Sequence, residues 1–469
     1  MGITSRLAAF VTETNYDDIP SEVVGRSKEQ MLNAAGIGLA GVAELEGQVI
    51  TNFVQDRGGT ATCTILGAPF RSTPEYAALA NGTMVHALDF DENVERRANH
   101  PSNEMFPTVM ALGEHLGASG RDVVAAFALG CEVSTKIGAA GDLDDQFPSI
   151  TRYGWNPQPV AGVFGATAAA ARLLGLDQEQ LENAFGLAAS QASGLLVNTN
   201  GTSSKPLQAG LAAMKGILCA ELAHRGMTGA RNGIEAERGY LDAIRRDRDI
   251  DEDEFIGRLG NPYDVIYPGV RLKVYPCGSY THVSLEAMLR LIEEHGIDAE
   301  DVRAIEVAVP PRWGMTGAAI PHPETGTRAK FSMAYVMAVA LVYGPPRLEH
   351  FTNEAIRDPK LVKLLDLVTV VTTEKPTERA TRPSTVTVTL ADGRVLSHRA
   401  EFARGHRNNP VTREDMEAKF EACVRDRLPP DQVRPTIDAF RRFEELTDVR
   451  PLFASLSGQA DPVGAGRPG

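Results

Sequence analysis

The sequence predicts a mainly α protein: a large all-helical domain with a smaller α+β domain inserted before its last helices. Three observations predict it. Over roughly the first 260 residues, apolar side chains recur at three-to-four spacing, with almost no alternating pattern. After Leu272 the texture changes to alternating runs such as AIEVAVP (304–310) and STVTVTLADGRVLSHRAEF, with an Asp-Gly turn at 392–393. From Arg413 the helical pattern returns. The economical layout gives 1–266 to the helical domain, 267–405 to the insertion and 406–455 to helices that rejoin the first body. The polar, Gly/Pro-rich segment 456–469 reads as a disordered tail.

Taken in order, residues 3–14 and 20–44 read as amphipathic helices, the second opening near Pro20-Ser21. Windows 75–88, 105–117 and 120–139 follow; Gly120 separates the last two, and Arg121-Asp122 starts the next. Residues 159–175 and 178–193 are so rich in alanine that their helices must pack at close range. Leu-Gly-Leu-Asp at 174–177 supplies a C-cap and then an N-cap. Residues 205–226 and 230–245 complete the series. In the insertion, 283–295 and 330–343 are helices and DLVTVVTTE is a strand; helices at 412–427 and 429–446 close the chain. No clean period of about 20–50 residues occurs, which argues against a solenoid.

With 469 residues the chain is too long for one ordinary core. A hydrophobic share of 43% and a charged share of 23% fit a globular protein. The net charge of −14 argues against nucleic acid or an anionic membrane as partner, since either favours clustered Lys and Arg. A small anionic substrate responds to the local field instead. Five widely spaced cysteines, with no CxxC, fit reduced thiols and a cytoplasmic protein. The start of the chain shows no secretory signal, and no apolar run approaches a membrane span.

Chemistry concentrates in three places. Asn81 to Glu114 holds His86, Asp89, Asp91, Glu92, Asn93 and His100 among small and apolar residues, a costly arrangement unless the groups are paired or used. In GTSSKPLQAG (201–210), Lys205 stands at a helix start, where free N–H groups and the dipole favour an anion. In YPGVRLKVYPCGSYTH (267–282), Tyr267, Arg271, Lys273, Tyr275, Tyr280 and His282 mark the entry to the insertion, where a cleft is expected. GWNP (154–157) could bring Asn156 to the same pocket. Plain structural readings stand beside these: a solvated helix end, an ordinary lysine beside a cap, an interdomain seam and a Trp-anchored turn. His86-Leu-Asp-Phe-Asp lacks the three defined ligands of a catalytic metal, so no metal is expected.

Together NG..VHALDFDE, HPS…FPTVMALGEHLGASGRDVVAAF, GWNP…GVFGATAAAARLLGLD, SKPLQAGLAA and LKVYPCGSYTHVSLEA resemble the MmgE/PrpD family over nearly the whole chain. That family includes 2-methylcitrate dehydratases, cis-aconitate decarboxylases and iminodisuccinate epimerases. The resemblance implies a helical domain with an α+β lid, a homodimer, no metal or organic cofactor, and a small carboxylate substrate. It carries active-site roles onto Asp89, His100, Lys205 and Lys273, and matches His282 to a family position. Asn93, Asn156, Arg271, Tyr275 and His282 are expected to contact the substrate. Two departures stand out: Asn156 replaces a family histidine, and Asn93 stands where a hydroxyl is common. VERRANHPS is also one residue longer than the usual spacing before His100.

The expected chemistry is proton transfer at carbon next to a carboxylate, with Lys205 and Lys273 stabilising the developing charge and Arg271 assisting. Imidazole suits proton traffic near neutral pH, so His100 is the expected base or acid, with Asp89 orienting it or sharing its proton. A lyase on a di- or tricarboxylate ranks first. An epimerase or isomerase of a dicarboxylate, or a non-catalytic carboxylate binder, are the alternatives.

Overall fold

The computed structural model describes residues 2–95, 99–139, 149–199, 201–244, 256–311, 319–374 and 383–458. Among the described residues the first body is built from α1 (Ile3–Glu13), α2 (Ser21–Gly41), α3 (Leu45–Arg57), α4 (Pro74–Ala87), α5 (Ser102–Leu116), α6 (Gly120–Ala139), α7 (Pro157–Leu174), α8 (Gln178–Ala189) and α9 (Ser204–His224), with further helices described below. Between α7 and α8, Gly175 takes φ +70° as a left-handed cap and Asp177 accepts from the Gln180 amide, as the Leu-Gly-Leu-Asp motif predicts. One expected helix is largely missing. Within 230–245 the structure has turns up to Gly239 and only a short helix, α10 (Tyr240–Ile244); Gly229 and Gly233 lie against the backbone of α8, where a side chain would collide. Helix α3 carries little apolar periodicity, so its sequence gives no helical signal.

Small residues let the central helices approach closely. A Cβ added to Gly82 of α4 would fall 2.9 Å from the Gly210 Cα of α9, and one on Gly210 would fall 2.2 Å from the Leu79 carbonyl. The two helices therefore cross backbone to backbone, which brings the end of α4 to the beginning of α9. Gly165 of α7 meets the Gly130 carbonyl of α6 in the same manner, at 2.6 Å from an added Cβ.

A second core spans Tyr275 to Ala403. Its sheet runs β6 (Val368–Thr372), β5 (Val302–Val309), β7 (Ser384–Leu390), β8 (Val395–Ala400), with β5 parallel to β6 and antiparallel to β7. The β7 strand buries every second residue, as its Val/Thr alternation predicts. Helix α11 (His282–His295) packs on β7, β8 and α12 (Met333–Tyr343); α13 (Pro359–Leu365) packs on α12.

The first core runs from Ile3 to Tyr263 and resumes with Phe420 to Leu456. Helices α14 (Arg413–Val424) and α15 (Pro430–Arg441) pack on α2, and α16 (Arg450–Ala454) packs on α5. Lys28 of α2 donates to the Arg441 carbonyl at 2.8 Å and pairs with Glu444 at 2.7 Å. Of the expected tail, Leu456 is buried and Ser457 bridges to Leu66; residues 459–469 lie outside the described residues. Of two short antiparallel ladders among the described residues, one pairs β1 (Cys63–Thr64) with β2 (Arg71–Ser72), and the other, β3 (Asn93–Val94) with β4 (Val270–Arg271), joins the segment after α4 to the entry of the second core.

Candidate active site

The crossing of α4 and α9 determines where the first pair of charges meets. Asp89 lies just past the end of α4 with φ +52°, the left-handed region that an L-residue enters only under constraint. Its constraint is visible. Lys205, in the first turn of α9, donates to Asp89 Oδ1. Lys273, 1% exposed, donates to the Asp89 carbonyl at 2.8 Å and to Oδ2 at 3.2 Å. Burial opposes ionisation of Asp89, yet the two ammoniums overcome it and hold the carboxyl well below its ordinary range. Two lysines share this one carboxylate.

His100 meets the other aspartate. Its Nδ1 lies 2.8 Å from Asp91 Oδ2, off the line of a hydrogen bond, and its Nε2 accepts from Asn93 Nδ2 at 3.1 Å. That amide contact makes Nε2 the acceptor, so the neutral ring carries its proton on Nδ1, toward Asp91. The expected pairing of Asp89 with His100 is thus replaced by Asp91 with His100. The reason is local geometry: the left-handed turn sends Asp89 to the lysines and Asp91 back under α5.

Asp91 is fully buried and also accepts from His86 Nδ1 at 3.1 Å and Asn103 Nδ2 at 3.0 Å. Burial would raise its carboxyl, but His86, His100 and Lys273 hold it well below the usual range. Burial lowers His86 to about 4 against the pull of Asp91, so His86 is neutral at physiological pH. The His86 and His100 rings stand 5.4 Å apart. Lys205 acts on His86, and His100 acts on Asp89. The aspartates, histidines and lysines therefore form one electrostatic cluster.

The remaining candidates divide. Glu92 accepts from the Ser102 amide at 2.8 Å and fixes the start of α5. Arg271 is buried with its Nε 3.4 Å from Glu95 Oε1. Tyr275 turns into the second core, donating to Glu286 at 3.1 Å. His282 is buried, donates from Nε2 to the Cys277 carbonyl at 3.2 Å, and is held well below its usual pKa by burial, with Arg271 and Lys273 adding to this. Asn156 caps the start of α7 with its backbone and donates to Gln208 at 3.1 Å. All five cysteines are buried free thiols.

Residues outside the expected set also reach the cluster. Lys205 Nζ stands 5.0 Å over the Phe331 ring. Lys330, 2% exposed, donates to the Ala87 carbonyl and to Glu44, each at 3.3 Å, and so places a second-core cation at the C-terminal dipole of α4. The motif GTRAKFS offered no sign of this, whereas Asp91 was readable: alternate aspartates in LDFD are both poised to turn inward. Among the described residues, no group of His, Cys, Asp and Glu is placed to hold a metal ion. No helix among them is long and apolar enough to cross a membrane. A cleft of about 510 Å³ around Tyr16, Lys28 and Glu444 contains none of these groups. A hollow of about 150 Å³ lined by Ser193, Gln208 and Lys215 adjoins Asn156 through Gln208.

Paired lysines, a carboxylate and a histidine–aspartate couple meeting between two cores define a class: a mainly helical protein with a buried cluster of charged and titratable side chains at the junction. The MmgE/PrpD N-terminal domain model matches residues 5–253 and the MmgE/PrpD C-terminal domain model matches 275–445. The chain belongs to the MmgE/PrpD family. It is 28% identical to the cis-aconitate decarboxylase of Homo sapiens, with 98% of this chain and 95% of that protein aligned. The cis-aconitate decarboxylase of Mus musculus is 26% identical, over 97% of this chain and 93% of that protein. The mitochondrial 2-methylcitrate dehydratase of Yarrowia lipolytica is 22% identical, over 87% of this chain and 81% of that protein.

Proposed function

We propose that this protein is a cofactor-independent lyase that dehydrates or decarboxylates a small di- or tricarboxylate by proton transfer next to a carboxylate. The observation that carries the reading is Lys205 and Lys273 converging on Asp89 beside the His100–Asp91 couple. Relatives named for cis-aconitate decarboxylation and 2-methylcitrate dehydration support the substrate class.

The chemistry follows from the charges. Removing a proton beside a carboxylate, or losing CO2 from it, drives an electron pair toward the remaining carboxylate. The net positive Lys205–Asp89–Lys273 group receives that charge and stabilises the transition state more than the ground state. His100 Nε2 takes or returns the proton, and Asp91 stabilises the imidazolium. In dehydration the pair expels the β-hydroxyl, which leaves as water with the proton that the His100 imidazolium returns. In decarboxylation the C–C bond breaks toward carbon, and His100 supplies the proton that replaces CO2. Substrate must displace part of the Asp89 hold on the lysines. The second core, bearing Lys330 and Phe331, acts in this reading as a lid that opens for entry and closes to exclude water. The reading places a homodimer in the cytoplasm.

The test is incubation with cis-aconitate, 2-methylcitrate and iminodisuccinate in D2O, followed by NMR. Release of CO2 or water supports the lyase. Deuterium uptake with inversion alone would replace it with an epimerase, and binding without exchange would replace it with a carboxylate-binding protein.

A further inference from the structure

We propose that Lys419, on α14, is a positioning residue that holds the Asp89 and Lys273 backbones at their working separation. The inference rests on the lyase reading for its kinetic arm only. Lys419 Nζ donates to the Phe90 carbonyl and to the Lys273 carbonyl, each at 2.8 Å, and sits 3.7 Å from the centre of the Phe90 ring. Lys273 Nζ in turn holds the Asp89 carbonyl at 2.8 Å. These contacts close a ring: Lys419 to Lys273, Lys273 to Asp89, Asp89 through the peptide to Phe90, and Phe90 back to Lys419. The ring encloses Asp89 at φ +52°, a conformation that needs such external support.

Two features separate this role from simple anchoring of α14. That helix is already seated by Phe420 and Val424 in the first core, with Phe420 so close to α2 that a Cβ on Gly36 would fall 2.8 Å from its ring. Lys419 also spends its donors on carbonyls of the two segments that carry the site. Burial lowers its ammonium to about 7, Cys423 opposing and Lys273 assisting. Both its charged and neutral forms keep the two N–H groups that the carbonyls take, so the clasp works by geometry rather than by charge.

The experiment compares wild type, Lys419→Met, Lys419→Gln and Lys419→Arg by steady-state kinetics and crystallography. A displacement of about 1 Å at reacting groups costs up to about 10²-fold in rate. The Met variant is expected to keep its fold and KM within about threefold while kcat falls about 10- to 100-fold; Arg, which can span two carbonyls, restores most of it. In the Met structure, Asp89 leaves the left-handed region or the Asp89–Lys273 contact opens. A folded Met variant with unchanged kcat, or with Asp89 and Lys273 unmoved, overturns the proposal. If Met does not fold, Gln, with two N–H groups on a shorter stem, must show the same kcat loss, and an unchanged kcat there also overturns it. If wild type turns over none of the three carboxylates, the lyase reading fails separately and the crystallographic arm alone decides Lys419.

Discussion

Replacing Asp91 with asparagine removes one charge and little volume, and its cost can be worked from the site. Asp91 Oδ2 lies 2.8 Å from His100 Nδ1. At an effective dielectric of about 20, a full imidazolium at that distance gains about 6 kcal/mol from the carboxylate. A proton about half transferred in the transition state realises about half of it, about 3 kcal/mol, or roughly 10²-fold in rate. Asparagine can also turn its NH2 toward Nδ1, favouring the other tautomer and removing Nε2 as base, so the loss is at least that large. The assay is kcat/KM on the substrate found by the D2O panel, from pH 5.5 to 9, beside thermal unfolding. Asp91→Asn should fold, since Asn103 and His86 can still hydrogen-bond it, and should lose about 10²-fold or more, mainly in kcat. A folded Asp91→Asn within about threefold of wild type would refute the His100–Asp91 couple.

Lys205→Ala and His100→Ala should each lower kcat/KM by about 10²-fold or more in folded protein; near-full activity in both would remove the site assignment. Glu104, fully buried beside Gln158, is pushed well above its usual pKa, chiefly by burial. Below about pH 4.5 both folded and unfolded chains hold its proton; above that only the folded chain does, so stability falls with pH by about 1.4 kcal/mol per unit up to the folded pKa. Glu104→Gln should therefore gain midpoint over wild type progressively as pH rises above about 4.5, and parallel curves would refute a protonated Glu104. Gly210→Ala forces a methyl into the α4–α9 crossing and should cost about 2 kcal/mol in urea unfolding, with activity falling as Asp89 and Lys205 separate. Retained stability would contradict the close crossing.

Much of this was legible because period reports burial. The helices from Ser21 to Gly41 and from Gly120 to Ala139 announce themselves by apolar spacing, and β7 by its alternation. Residues 230–239 misled because Gly229 and Gly233 serve close contact with α8 rather than helix formation. At the site, Asp89, His100, Lys205 and Lys273 were readable as types in dense or helix-start settings, and the structure brings all four into one cluster. Their pairing was not readable, because it turns on a single left-handed residue at 89. Lys330 and Lys419 were invisible for another reason: a lone lysine in a helical stretch reads as solvated until tertiary packing encloses it.

The most direct measurement is a crystal structure of the inactive His100→Gln variant soaked with the tricarboxylate that wild type consumes. The account predicts a ligand carboxylate within about 3 Å of both the Lys205 and Lys273 ammoniums, with the reacting carbon facing the position of His100 Nε2. A ligand bound along the Tyr16–Lys28 cleft, or bound without touching either lysine, would contradict it.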